Sequence, residues 1–292
     1  MDAPYARMEP LEDGIARLLA ENPSPFTYTG TQTYFVGGPS EVIVVDPGPA
    51  MNAHVDAILD AIGERKLVAI TCTHTHRDHS PASRPLKEAT GAPIIGCAPL
   101  ALETAGPRAD ASFDADYAPD RILEDGDTLE ADGFVLTAVA TPGHTSNHLC
   151  YAVGDALLTG DHVMGWSTTV VVPPDGDMGA YMDSLEKLRL REDRVYYPAH
   201  GPQVDKPSRL VRHMIGHRMQ RERQILKRLE AGDRDIETLV LNCYPGLDPR
   251  LRPAAGGSVT AHLVELERQD RVERLSEDTW KPLPSRNDTG SD

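Results

Sequence analysis

The chain has 292 residues, 29 of them basic and 45 acidic, for a net charge of −16. Its 40% hydrophobic and 25% charged content suit a globular protein, and no apolar run approaches the roughly 20 residues that cross a membrane. The acidic balance argues against broad nucleic-acid binding, and the N-terminal residues, with no basic or apolar leader pattern, give the expectation of a cytoplasmic protein.

Residues 41–46 read as a buried strand stopped by Pro47-Gly48. Val55, Ile58, Leu59 and Ile62 then recur at helical spacing, and Gly63 closes that helix. Residues 67–73 are β-rich and end abruptly in a run of histidines; residues 93–96 form another short strand. From Thr128 the pattern turns to hairpins. One pairs 129–131 with 134–140 around Asp132-Gly133, and one pairs 149–153 with 156–159 around Gly154-Asp155. Residues 170–172 read as core strand plus turn, 181–190 as a helix and 195–197 as a strand. The sum is a mixed, β-rich α/β unit of about two hundred residues whose polar chemistry sits at strand ends.

Residues 202–207 mark a boundary. Beyond it, 208–231 form a long amphipathic helix capped by Gly232. Shorter helices follow at 236–241 and 258–269, then a wing-like strand at 271–275. Cys72, Cys97, Cys150 and Cys243 lie far apart without a CxxC pair and read as buried thiols.

The strongest chemical signal is His74-Thr75-His76-Arg77-Asp78-His79, directly after a strand. Imidazole and carboxylate are ligands for zinc and related metals. Residues two apart in extended backbone point the same way, so His74 and His76 can clasp one ion. A turn lets Asp78 and His79 face a neighbouring ion. The plainer reading is a polar loop whose histidines only hydrogen-bond. Three later segments weigh against it: Thr141-Pro142-Gly143-His144, Thr159-Gly160-Asp161-His162 and Tyr197-Pro198-Ala199-His200-Gly201. Each is short, polar and bounded by Gly or Pro, as backbone near a ligand tends to be. Two metals roughly 3.5–4 Å apart require such a supply of donors.

Taken in order, HxHxDH, TPGH, GDH and PAHG resemble the metallo-β-lactamase superfamily, most closely its glyoxalase II-like and β-lactamase-like-2 endoribonuclease branch. Val45-Asp46-Pro47-Gly48 resembles the family's first motif, whose aspartate braces the metal loop. The resemblance implies an αββα sandwich with a small C-terminal helical, winged-helix-like domain. It divides the chain into a catalytic domain at 1–205, the winged-helix-like domain at 206–281 and a flexible tail at 282–292. It assigns His74, His76 and His144 to one metal, Asp78, His79 and His200 to a second, and Asp161 to both. Two divalent ions are implied, zinc foremost, with iron or manganese admitted by the same donors. The implied reaction is attack by a metal-bound hydroxide on an ester, thioester or related small acyl substrate, with Asp78 as the catalytic residue that orients the nucleophile or shuttles its proton.

The same resemblance admits other activities: cleavage of RNA, sulfur dioxygenation at a single iron, weak or promiscuous β-lactam hydrolysis, or a non-catalytic scaffold. Ser80-Pro81-Ala82 departs from the Ser-Gly-Gly of the closest relatives, and Thr75 stands where they often carry an aromatic residue. There is no GxSxG elbow, no Walker A motif and no dinucleotide-binding glycine fingerprint.

The other histidines have plain readings. His148 packs structurally, His162 points to the opposite side from Asp161, and His54, His213, His217 and His262 sit on helices. Arg218, Arg221, Arg223, Lys227 and Arg228, interleaved with Glu222 and Glu230, read as a solvated helix face ahead of an RNA contact. With aromatics at 5% of the chain, no base-stacking platform is indicated.

Overall fold

The structure, a computed structural model, describes residues 4–100 and 113–284. The first sheet is laid down in chain order: β1 (Glu9–Glu12), β2 (Ile15–Leu19), β3 (Gln32–Gly37), β4 (Glu41–Val45) and β5 (Lys66–Thr71). Its pairs are antiparallel except β4–β5, which is parallel and joined through α1 (Asn52–Ile62). Next come α2 (Ser83–Thr90) and a short parallel pair, β6 (Ile95–Gly96) with β7 (Arg121–Ile122).

The second sheet repeats the plan with β8 (Thr128–Ala131), β9 (Phe134–Ala140), β10 (Leu149–Val153), β11 (Ala156–Gly160) and β12 (Val195–Pro198). Again the last pair, β11–β12, is parallel and its crossover carries a helix, α3 (Met178–Arg189). The C-terminal part consists of α4 (Pro207–Glu230), α5 (Ile236–Cys243), α6 (Arg252–Arg268) and a hairpin of β13 (Val272–Arg274) with β14 (Trp280–Pro282). None of the described helices is long and apolar enough to cross a membrane.

The period of two along each strand makes the layers. In β10, Leu149, Tyr151 and Val153 enter the core between the sheets, while Cys150 and Ala152 face the other way, under α3 and α4. Val55, Ile58 and Ile62 of α1 and Leu86 of α2 cover the first sheet. Met178, Tyr181, Leu185 and Leu188 of α3 cover the second. A third core lies wholly in the C-terminal part and is built around Trp280, Leu239, Val259, Leu263 and Leu266. α4 serves two of these cores. Val211, Met214 and Ile215 pack with α3, whereas Ile225 and Leu229 pack in the C-terminal core.

Several elements differ from the sequence reading. Residues 170–172 are irregular backbone rather than a strand, although Val171 is buried. α4 has Ala231 as its cap, with Gly232 one residue beyond at φ 107°. The helix expected from Ser258 begins at Arg252; Pro253 lies in its first turn, and Gly256 and Gly257 are inside it. Gly257 is there for packing, since a Cβ would come within 2.6 Å of Val172. β1, β2, β3, α2 and β14 carry no strong pattern in the sequence. The expected tail from 282 lies mostly outside the described residues. All four cysteines are buried and unpaired.

Candidate metal centre

One edge of the sandwich collects the C-terminal ends of β4, β5, β9, β11 and β12. Asp46 leaves β4, the histidine run follows β5, His144 lies between β9 and β10, Asp161 follows β11 and His200 follows β12. Tight backbone brings these loops close. Gly143 has φ 137°, and a Cβ there would meet the Tyr181 backbone at 2.3 Å. Gly160 has φ 50°, and a Cβ there would press on Thr73 and His148 at 2.7 Å.

The seven side chains fall into two groups. His74, His76, His144 and Asp161 form one, and Asp78, His79 and His200 the other; within each group the donor atoms lie within 4.8 Å of one another. In the first, His76 Nδ1 is 2.9 Å from His74 Nε2 and 3.2 Å from His144 Nε2. In the second, His200 Nε2 is 3.1 Å and His79 Nε2 3.5 Å from Asp78 Oδ2. Asp161 faces both. Its Oδ2 is 3.7 Å from His144 Nε2, and its Oδ1 is 3.3 Å from His200 Nε2 and 3.6 Å from His79 Nε2.

Ring tautomers are set from behind. His144 Nδ1 donates to the Val170 carbonyl at 2.6 Å, His200 Nδ1 to the Gly30 carbonyl at 3.2 Å and His79 Nδ1 to Asp46 Oδ2 at 3.1 Å. A neutral ring that donates from Nδ1 presents a lone pair at Nε2. Asp46 also accepts from the Thr73 amide at 2.7 Å and the Thr73 hydroxyl at 2.8 Å, so it braces the histidine run from outside both groups.

These donors fit a pair of cations on their own chemistry. His79 Nε2, His200 Nε2 and Asp161 Oδ1 are buried with no hydrogen-bond partner, and all three are turned toward one another. Imidazole and carboxylate atoms that converge in this way are costly to bury unless positive charge lies between them, as a cation or as protons taken up by the rings in its absence. Electrostatics divides the two groups. Burial, then the neighbouring imidazoles His79 and His76, push His74 far below its ordinary pKa; burial and His144 bring His76 down to about 3. Burial also opposes charge on His79 and His200, but the carboxylates of Asp78 and Asp161 prevail and raise both. Conversely, burial works against ionisation of Asp78 and Asp161, yet the same two histidines hold both carboxyls below the usual range.

No other histidine among the described residues belongs to either group. His148 is buried, is held by the Thr141 hydroxyl at 2.9 Å and accepts the Asp161 amide at 3.3 Å, so it steadies the Asp161 backbone. His162 lies in the turn after β11, packed against the Tyr181 ring. Sequence reasoning missed Gln32, whose amide nitrogen donates to the carbonyls of Pro198 at 3.0 Å and Gly201 at 2.6 Å, clamping the loop that bears His200. A polar residue 2% exposed inside an apolar strand is the signal that marks it.

A cavity of about 450 Å³ opens from His76, Asp78, His144 and Asp161 and runs to the C-terminal helices. Its wall is largely apolar, with Phe26, Met164, Trp166, Leu247 and Leu251. The basic stretch of α4 is not a uniformly solvated face. Arg218 is buried, and the Arg221 guanidinium lies 3.7 Å over the Tyr244 ring; both line the cavity.

Residues 27–200 match the metallo-beta-lactamase superfamily, and residues 236–280 match the beta-lactamase associated winged helix domain. The chain is 31% identical over 286 residues to a beta-lactamase-like protein 2 homolog of Caenorhabditis elegans, covering 94% of this chain and 91% of that one. It is 32% identical over 246 residues to the atrochrysone carboxyl ACP thioesterase AgnL7 of Paecilomyces divaricatus, covering 77% and 69%. Among solved structures, a metallo-beta-lactamase family protein from Thermus thermophilus superposes with a TM-score of 0.74 at 21% identity, covering 93% of this chain and 99% of its own. A beta-lactamase domain protein from Burkholderia ambifaria gives 0.76 at 16% identity, covering 97% and 96%.

Proposed function

Because the chain belongs to the metallo-beta-lactamase superfamily, we propose that it is a dinuclear metal-dependent hydrolase of a thioester or related small acyl ester. The coarser assignment, a metal-dependent hydrolase, rests on the family and on relatives named as thioesterases. The observation that carries the finer one is Asp161, with one oxygen turned to each donor group at the mouth of an apolar cavity.

In this reading His74, His76 and His144 hold one divalent cation, Asp78, His79 and His200 hold a second, and Asp161 serves both. Such a pair supplies Lewis acidity toward an acyl carbonyl and lowers the pKa of bound water to about 7. The protein does the rest. Asp78 has a side chain 28% exposed on the cavity and lies 3.1 Å from His200 Nε2, so it can orient the attacking water. Phe26, Met164 and Trp166 exclude bulk water and give an acyl body an apolar surface. Residues 1–205 carry the chemistry, and residues 206–281 close the far side of the cavity.

An RNA substrate finds less support. Arg218 is buried and Arg221 is turned onto Tyr244, rather than being spread along an open groove. The deciding experiment is elemental analysis of protein purified without chelator, joined to hydrolysis of a panel of short acyl thioesters. About two equivalents of metal and turnover abolished by a chelator are expected. Metal-free protein that still turns over the thioester, or metal-loaded protein inert toward every acyl substrate while it cleaves RNA, would overturn the proposal.

A further inference from the structure

The cavity that leads away from the donor groups has walls of three kinds: carboxylate and imidazole at Asp78, Asp161, His76 and His144, apolar at Phe26, Met164 and Trp166, and cationic at Arg218 and Arg221. The cationic wall is one face of α4: His217, Arg218 and Arg221 all line the cavity. His217 and Arg221 are four residues apart, so they stand one above the other on the same side of the helix.

Arg218 already has work in the fold. Its guanidinium donates to the Thr169 carbonyl and, at 3.3 Å, to the Ser258 hydroxyl; the Thr169 hydroxyl in turn donates to the Asp161 carbonyl at 2.8 Å. Arg221 and His217 are less occupied. Arg221 donates from one terminal nitrogen to the Cys243 carbonyl and to Gln224; its Nε and His217 Nδ1 are buried, and the other terminal nitrogen of Arg221 and His217 Nε2 have no hydrogen-bond partner among the described residues.

Among the described residues neither Arg218 nor Arg221 is ion-paired, although the chain carries 16 more acidic than basic side chains. The acids nearby are already engaged: Glu222 with Arg271, and Glu265 and Asp177 with Arg268. Two guanidiniums facing one cavity without a counter-charge in so acidic a protein are costly, and an incoming anion would remove that cost. The Tyr244 ring under Arg221 fixes the plane of the fork, as bidentate binding of an oxyanion requires.

We propose that His217 and Arg221, with the charge of Arg218 behind them, form a subsite for an oxyanion at the end of the substrate remote from the scissile bond. The substrate class is therefore an anionic thioester or ester, its carboxylate or phosphate held on α4 while its acyl carbonyl lies against Asp161. This inference rests on the acyl-hydrolase reading above and narrows it.

Four probes with a five-carbon acyl chain test it on the metal-loaded full chain, the fourth being pentanoyl pantetheine, the neutral match for the phosphopantetheine thioester. A glutaryl thioester of N-acetylcysteamine carries a carboxylate on the acyl side. The pentanoyl thioester of the same thiol is neutral, and a pentanoyl thioester of phosphopantetheine carries a phosphate on the thiol side. Binding is read separately by calorimetry with the corresponding non-hydrolysable amides. The wild type is expected to favour one of the charged probes over its neutral match by about tenfold in kcat/KM and in affinity, and which one identifies where the anion sits. In Arg221→Gln that preference is expected to collapse toward unity, with Arg221→Lys restoring part of it.

Loss of all binding in Arg221→Gln, with a lowered melting temperature, would reflect damage to the fold; the same preference then read in His217→Gln decides, and its collapse supports the subsite. Wild-type turnover without charge preference, or a preference that survives both substitutions, overturns the inference while leaving the hydrolase intact. Selective binding of the charged amides by an enzyme that hydrolyses no thioester would instead remove the proposed reaction and keep the subsite.

Discussion

Asp161 owes its position to backbone as much as to its own chemistry. Gly160 allows the chain to pass within contact of Thr73 and His148, His148 holds the Asp161 amide, and the Thr169 hydroxyl holds its carbonyl. Because the carboxylate faces both donor groups, Asp161→Ala is expected to lower bound metal from about two equivalents to fewer than one, measured by elemental analysis after dialysis. Retention of both equivalents would mean that it bridges nothing. Asp46 acts differently, through His79 and Thr73 rather than as a donor to either group. Asp46→Asn is expected to weaken zinc affinity about 10- to 100-fold in a competition titration with a chelating dye. An unchanged affinity would show that bracing by Asp46 is dispensable.

At the scale of elements, the C-terminal core has Trp280 as its largest wholly buried side chain. Trp280→Ala is expected to cost about 3–5 kcal/mol, read as a loss of urea stability. A loss below about 1 kcal/mol would show that the β13–β14 hairpin adds little. Buried His262 on α6 makes a pH prediction. Burial, then Arg218, Arg221 and His217, bring its pKa from 6.5 down to about 3. Above pH 6.5 neither the folded nor the unfolded chain protonates it. Between 6.5 and about 3 the unfolded chain binds a proton that the folded one refuses, so stability falls with pH. His262→Leu is expected to reduce that slope by about one proton, measured by urea unfolding across this range; an identical slope would place the titration elsewhere.

What the sequence made legible follows the same physical lines. The strands that end in Gly or Pro turns before a histidine stand out because period and punctuation agree. β3 does not, because Gln32 and Thr33 are polar yet buried, and the partners of Gln32 lie 166 and 169 residues away in the PAHG loop. The sequence pattern places the start of α6 late, since Pro253, Gly256 and Gly257 look like breakers, whereas the proline is tolerated in a first turn and Gly257 makes room for Val172. The apolar run at 170–172 reads as a strand but is spent on the site: Val170 gives its carbonyl to His144 and lines the cavity. That Arg218 and Arg221 of α4 have no ion pair among the described residues is invisible in a sequence that shows only alternating charge.

At the scale of the whole molecule, two ions held by loops from both sheets would tie the sandwich together along its open edge. Metal that binds only the folded chain stabilises it by mass action, about 2.7 kcal/mol at a free concentration 100-fold above the dissociation constant. Scanning calorimetry with and without a chelator is expected to show a lowered transition on metal removal, and coincident transitions would argue against metal in the folded protein.

α4 has a further consequence as the shared spine of two cores. Each residue advances a helix by about 1.5 Å and turns it by about 100°. Inserting one residue between Ile215 and His217 would therefore swing Arg221, Ile225 and Leu229 a quarter-turn or more away from their neighbours, even though no contact was itself edited. A change in the length of α4 is thus compatible with both cores only where it preserves the helical phase, as an insertion of about one whole turn does.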